Sequence, residues 1–203
     1  MIKTTYLYFS GIRGILLPLF NFTFQQFNVD YVFSNVIVRM LSTKEQRIPL
    51  TNSSILRIEF TVLLDDYASY FFKSLSNFIN MVCGLPYLPE TFHLSRNVSV
   101  NETILIPAIN LNDHFFEIFR RKSLVYFHPK TKKYTAFDIQ EINILNNTIK
   151  LSDFPDMELE KNGLLAPFIP VFIEEITFQE LNFNVSYVNV KATEIYIASN
   201  LWQ

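Results

Sequence analysis

Apolar and polar residues alternate with a period of two along much of this chain. Leu19-Phe20-Asn21-Phe22-Thr23-Phe24-Gln25-Gln26-Phe27 does so near the N-terminus. In Ile55 to Leu64, Arg57, Glu59 and Thr61 fall on one face and Ile58, Phe60 and Val62 on the other. Phe183 to Lys191 alternates over most of its length, and Glu194-Ile195-Tyr196-Ile197 follows it. This period belongs to strands with one wet face. Strands are also expected over 4–9 and 15–28, with Pro18 at a strand start or an edge, and over Tyr31 to Leu41. Shorter ones are expected at Phe92 to Leu94, Thr103 to Pro107, Leu124 to His128 and Tyr134 to Leu145. Asn146-Asn147 then turns the chain into Ile149-Lys150-Leu151. The run Phe168 to Phe178 is a long strand interrupted by Pro170.

One stretch has the other period. Ala68, Phe71, Phe72, Leu75, Phe78, Ile79 and Val82 repeat at helical spacing after Asp65-Asp66. The two aspartates supply an N-cap and negative charge at a helix start. The pattern predicts one long amphipathic helix over about 66–83, its stripe packed on a sheet. Gly84 fits a left-handed C-cap, and Pro86 stops continuation. The proline-flanked turn Gly84-Leu85-Pro86-Tyr87-Leu88-Pro89 comes next.

Together these elements predict a mainly β chain, with a β-sandwich or barrel-like core and one helix on the sheet. At 203 residues it fits a single domain spanning 1–203. The core is expected from 1–94 plus 164–203, with a small inserted β lobe at about 95–163 and a polar boundary loop at Asp153 to Gly163. Although 49% of residues are apolar, no uncharged apolar run reaches the roughly 18 needed to span a bilayer. The segment Tyr6 to Phe20 contains Arg13, two glycines and Pro18 and has no small-residue cleavage site, so no signal peptide is expected. Six Asn-x-Ser/Thr triplets would matter only in a eukaryotic secretory protein.

The candidate chemistry is sparse. Cys83 is the one cysteine, which excludes an internal disulfide and multi-cysteine zinc sites; it reads as a small buried hydrophobe. His93, His114 and His128 lack metal-ligand spacing. The adjacent carboxylates Glu174-Glu175 should point to opposite faces of a strand, a poor acid/base pair. No serine sits in a Gly-x-Ser-x-Gly elbow, and Gly11-Ile12-Arg13-Gly14 is not a phosphate loop. With a net charge of −2, the short cluster Arg120-Arg121-Lys122 reads as a solvated face, and nucleic-acid binding is not expected. The expectation is no enzyme, no cofactor and no metal. The aromatic surplus is different: Tyr6, Tyr8, Phe22, Phe24 and Phe27 on neighbouring strands cannot all face inward, which predicts burial against another subunit. A β module binding a small apolar ligand or a glycan is the alternative.

The order of the pieces resembles a group of small distal-tail proteins from tailed bacteriophages and phage-derived particles. The matching pieces are the strand Arg57-Ile58-Glu59-Phe60, the helix after it, then Gly84 and the turn Tyr87-Leu88-Pro89. Lys133 to Ile139 and Ile149-Lys150-Leu151 match the small β lobe. Ala166-Pro167-Phe168-Ile169-Pro170-Val171 matches the returning strand, and Val188-Asn189-Val190 through Glu194-Ile195 the end. The family's usual Trp in the Leu-Pro turn is absent here, and Glu90-Thr91-Phe92 follows instead. The resemblance implies a virion structural protein at the tail tip, made in the bacterial host cytoplasm. It further implies a homo-oligomeric ring of three or six copies that continues the tail tube into the hub or baseplate.

Overall fold

The computed structural model describes residues 6–9, 12–32, 35–39, 45–49, 55–75, 82–112, 115–182 and 185–195. In chain order the strands are β1 (Tyr6–Phe9), β2 (Ile12–Leu16), β3 (Phe24–Val32), β4 (Asn35–Arg39), β5 (Glu45–Pro49) and β6 (Ile55–Leu63). Helix α1 (Asp66–Leu75) and β7 (Val82–Pro86) follow. Next come β8 (Ile104–Leu105), the short helix α2 (Phe116–Arg120), β9 (Ser123–Phe127), β10 (Tyr134–Asn143) and β11 (Thr148–Leu151). The chain closes with β12 (Leu164–Asn182) and β13 (Val185–Glu194). The fold is mainly β, as the alternation predicts.

Two compact units form. The first takes in 1–22 and 82–170, so the segment 95–163 lies wholly inside it; the second takes in 23–81 and 171–203. In the first unit, β1 and β2 make an antiparallel hairpin and β2 runs parallel to β7. Strand β9 pairs with β10 on one side and with Leu164–Pro167 of β12 on the other, and β10, β11 and β8 continue in antiparallel order. Its core has two parts. Leu124 and Tyr126 of β9 join Leu105, Ile118, Ile149 and Leu165 in one; Val125 and Phe127 join Leu16, Ala166 and Phe168 in the other. Both faces of β9 are therefore covered, which is why Leu124-Val125-Tyr126-Phe127 is apolar without alternation. Beside this core, buried Glu90 accepts the backbone N–H groups of Glu117 (2.7 Å) and Ile118 (2.8 Å) and fastens the first turn of α2.

In the second unit, β3, β6, β13 and the later part of β12 lie side by side, all antiparallel. Strands β4 and β5 form a separate hairpin. Leu56, Ile58, Phe60 and Val62 on β6 and Val188, Val190 and Ala192 on β13 are buried on one face of the four-stranded sheet. The opposite face carries the polar half of the alternation.

The expected long helix is not found. Asp65 does cap α1, its Oδ1 accepting the Ala68 N–H at 2.7 Å, and Ala68, Phe71, Phe72 and Leu75 are buried at helical spacing. The described helix ends at Leu75, however, and Val82 to Pro86 is the strand β7. Phe78 lies outside the described residues. Gly84 is consequently not a C-cap: it pairs with Leu16 across a parallel ladder and lies against the Phe168 ring. Pro86 is the last residue of β7, and Pro89 sits in a 3₁₀ turn over Leu88–Glu90. A short apolar run has no period of its own, and tertiary pairing decided it. The expected strand 15–28 is also split, because Leu19–Asn21 forms a 3₁₀ turn behind Pro18.

Candidate functional site

The alternation of β3, β6 and β13 puts the functional question on the sheet of the second unit. Its residues stand in rows across the four strands. Phe24, Val62, Val188 and Phe178 make one row; Phe27, Phe60, Val190 and Ile176 make another. Both belong to the apolar face. Between and beyond them on the polar face lie Gln26, Thr61, Asn189 and Thr177, then Asn28, Glu59, Lys191 and Glu175.

The inner members of the apolar rows are buried and the outer ones are not. Phe60 and Val190 have no exposure, whereas Phe24, Phe27 and Ile176 are half-buried and Phe178 is 40% exposed. Phe27 stacks on Phe60 with centroids 6.1 Å apart, and Phe24 meets both rings edge-on at 5.7 and 5.8 Å. Further along β3, Tyr31 is 43% exposed. Apolar side chains thus run to both margins of the sheet and stay partly wet there.

Among the described residues, the margins also carry no further strand along the backbone. Among the described residues β3 pairs only with β6, and Glu175 to Gln179 of β12 pair only with β13. Neither Phe24–Val32 nor Glu174–Asn182 contains a lysine or a proline, the residues that most often blunt an exposed edge.

The polar face is paired in part, and the buried Asn189 Oδ1 has no hydrogen-bond partner among the described residues. Lys191 Nζ meets Glu175 Oε2 at 2.8 Å, Thr193 Oγ1 donates to Glu174 Oε1 at 2.6 Å, and Asn189 Nδ2 donates to Glu59 Oε1 at 2.9 Å. Lys191 and the Thr177 hydroxyl hold the Glu175 carboxyl below its ordinary range. A register shift between Ile173 and Glu175 lets Glu174 and Glu175 both reach partners on β13 of the same sheet face, contrary to the expected opposite orientation. Each is bound to its own strand neighbour, as a structural carboxylate would be.

The five aromatic residues expected at an interface divide between the two units. Phe24 and Phe27 stand at the β3 margin of the second unit. Tyr6 and Tyr8 stand in β1 opposite Ile15 and Arg13, and Phe22 is buried at 9% exposure, all three in the first unit. Of the structural residues, Asp65, Phe71, Phe72 and Leu75 hold the places given above. Sequence reasoning missed Ile176 and Phe178, because assigning them to a margin requires knowing that β13, and not β12, lies beside β6.

Other candidate chemistry falls to packing. Arg120 and Arg121 are not a solvated basic face: they flank fully buried Glu117, at 3.6 and 3.2 Å. Burial pushes the Cys83 thiol up to about 12. His93 Nδ1 donates to the Gly163 carbonyl at 2.9 Å, and His128 Nδ1 accepts from two turn N–H groups; His114 lies outside the described residues. Among the described residues no group of three or more His, Cys, Asp or Glu is placed to hold a metal ion. Likewise among them, no helix is long and apolar enough to cross a membrane. One shallow groove of about 330 Å³ lies in the first unit, where Phe154, 66% exposed, stands with Asp138, Asp153 and Asp156. No protein-family model matches this chain, and no curated protein matches its sequence.

Proposed function

We propose that this chain is a non-enzymatic structural protein of a phage-like tail tip, one copy of an oligomeric ring that joins the tail tube to the hub or baseplate. In this reading it is made in the bacterial host cytoplasm and resides in the virion, and its partners are further copies of itself and the neighbouring tube and hub proteins. The observation that carries the reading is the sheet of the second unit, whose two margins have no further strand among the described residues and carry partly exposed apolar side chains. An open edge seeks another strand, and a closed ring supplies one to every copy without leaving an end. The order of sequence pieces adds the tail-tip context. Light scattering with negative-stain imaging of the purified protein tests it: rings of three or six copies are expected, and a monomer at every concentration would overturn the ring.

A second reading is favoured by the Phe154 groove. An exposed aromatic face beside three carboxylates suits the C–H face and hydroxyls of a sugar, and its polar lining disfavours an apolar ligand. Under that reading Phe154→Ala abolishes binding on a glycan array, and a protein that binds no glycan removes it.

A further inference from the structure

We infer that neighbouring copies join by antiparallel pairing of β3 of one copy with β12 of the next, in the register that prolongs the rows of the sheet. The inference rests on the ring reading above and names the surface that closes the ring. The first argument is parity. Four antiparallel strands alternate in direction, so the two marginal strands run opposite ways. Rotation about an axis along the strands therefore brings β12 of the next copy beside β3 in antiparallel orientation, and the sheet continues.

The second argument is register. Prolonging the rows without stagger sets Phe24 opposite Phe178 and Phe27 opposite Ile176, completing the burial of rings now half-wet. On the other face it sets Gln26 opposite Thr177 and Asn28 opposite Glu175, with no like charges facing. The alternatives are worse. A slip of one residue turns the aromatic residues to the polar face. The slip that sets Phe27 opposite Phe178 also sets Asp30 opposite Glu175, two carboxylates face to face.

Paired cysteines test this register. Gln26 and Thr177 are both exposed, so Gln26→Cys with Thr177→Cys leaves each unit intact, and Asn28→Cys with Glu175→Cys is an independent second pair. Native Cys83 is fully buried and does not compete. After mild oxidation and denaturation, each double variant gives a ladder of cross-linked multimers that stops at the ring size. Single variants remain monomeric, as does the mismatched pair Asn28→Cys with Thr177→Cys, because a disulfide requires Cα atoms within about 7 Å. An oligomer in light scattering that none of these pairs cross-links overturns the inference and leaves the ring reading standing. Dimers from Gln26→Cys alone overturn it in favour of a two-fold contact between β3 strands. A monomer throughout overturns both.

Discussion

At Gly84 the backbone of β7 passes so close to Phe168 that an added methyl group would land on the ring. Gly84→Ala should therefore lower stability in urea by about 1–3 kcal/mol, the usual cost of overpacking. Phe168→Leu, by opening space, should make the double variant less unstable than the sum of the singles, a coupling that a double-mutant cycle reads directly. Next to it, Cys83 has no exposure and a thiol pushed up to about 12. It should resist iodoacetamide at pH 8 in the folded protein and react only after denaturation. The role of Asp65 as a cap was legible in the sequence, since a cap is a local event. The role of Gly84 was not, because the ring that excludes a side chain there arrives from 84 residues further along. Likewise the pairing of Arg120 and Arg121 with Glu117 was written at helical spacing, but only the burial of Glu117 shows that those charges are committed.

At the scale of elements, α1 depends on its first turn. Replacing Asp65 by Ala leaves the Ala68 N–H without its 2.7 Å acceptor and should cost about 1 kcal/mol, measured by thermal or urea unfolding. The loop after Val98 is closed by Arg96, whose guanidinium meets both Glu102 oxygens at 2.7 and 2.9 Å. That pairing lowers the Glu102 carboxyl from its ordinary 4.5 to about 2. An acid depressed in the folded state adds stability that is present above about 4.5 and lost as pH falls toward 2. A carboxyl-detected NMR titration should place the Glu102 midpoint near 2, and Arg96→Met should raise it. Strands with one wet face were legible because alternation records their environment. The helix was over-extended because Val82-Cys83-Gly84-Leu85 is apolar on every side, and such a run fits either period until its neighbours are known.

At the scale of the molecule, order in the chain and order in the sheet disagree. Strand β6 lies between β3, which it follows closely, and β13, with Glu59 and Asn189 bonded across 130 residues. Sequence pattern identified all three strands but carried no information on which would be neighbours. Pairing at that separation closes a long loop before it gains contacts, so refolding should be slow for the chain's size, and stopped-flow fluorescence measures it. Glu194 has a part in that closure: its Oε2, buried at 4% exposure, accepts the Leu56 N–H at 3.0 Å. Glu194→Ala leaves that donor buried without its acceptor and should cost about 1–3 kcal/mol in urea unfolding.

The interleaving of the two units sets a timetable on the ribosome. The described strands of the first unit have left the exit tunnel once Pro170 emerges, while β3 and β6 of the second have been waiting since residue 63 for β13, which follows every other described strand. Throughout that interval the side of β6 meant for β13 is bare, with Ile58, Phe60 and Val62 on a strand whose partner does not yet exist. A nascent chain stalled at Asn182 is thus a sticky ribbon tethered to a finished neighbour, and chaperone capture should peak in that window and vanish once Val185 to Glu194 is released. Speed through the codons for Val185 to Glu194 then governs how much of the chain is recovered folded.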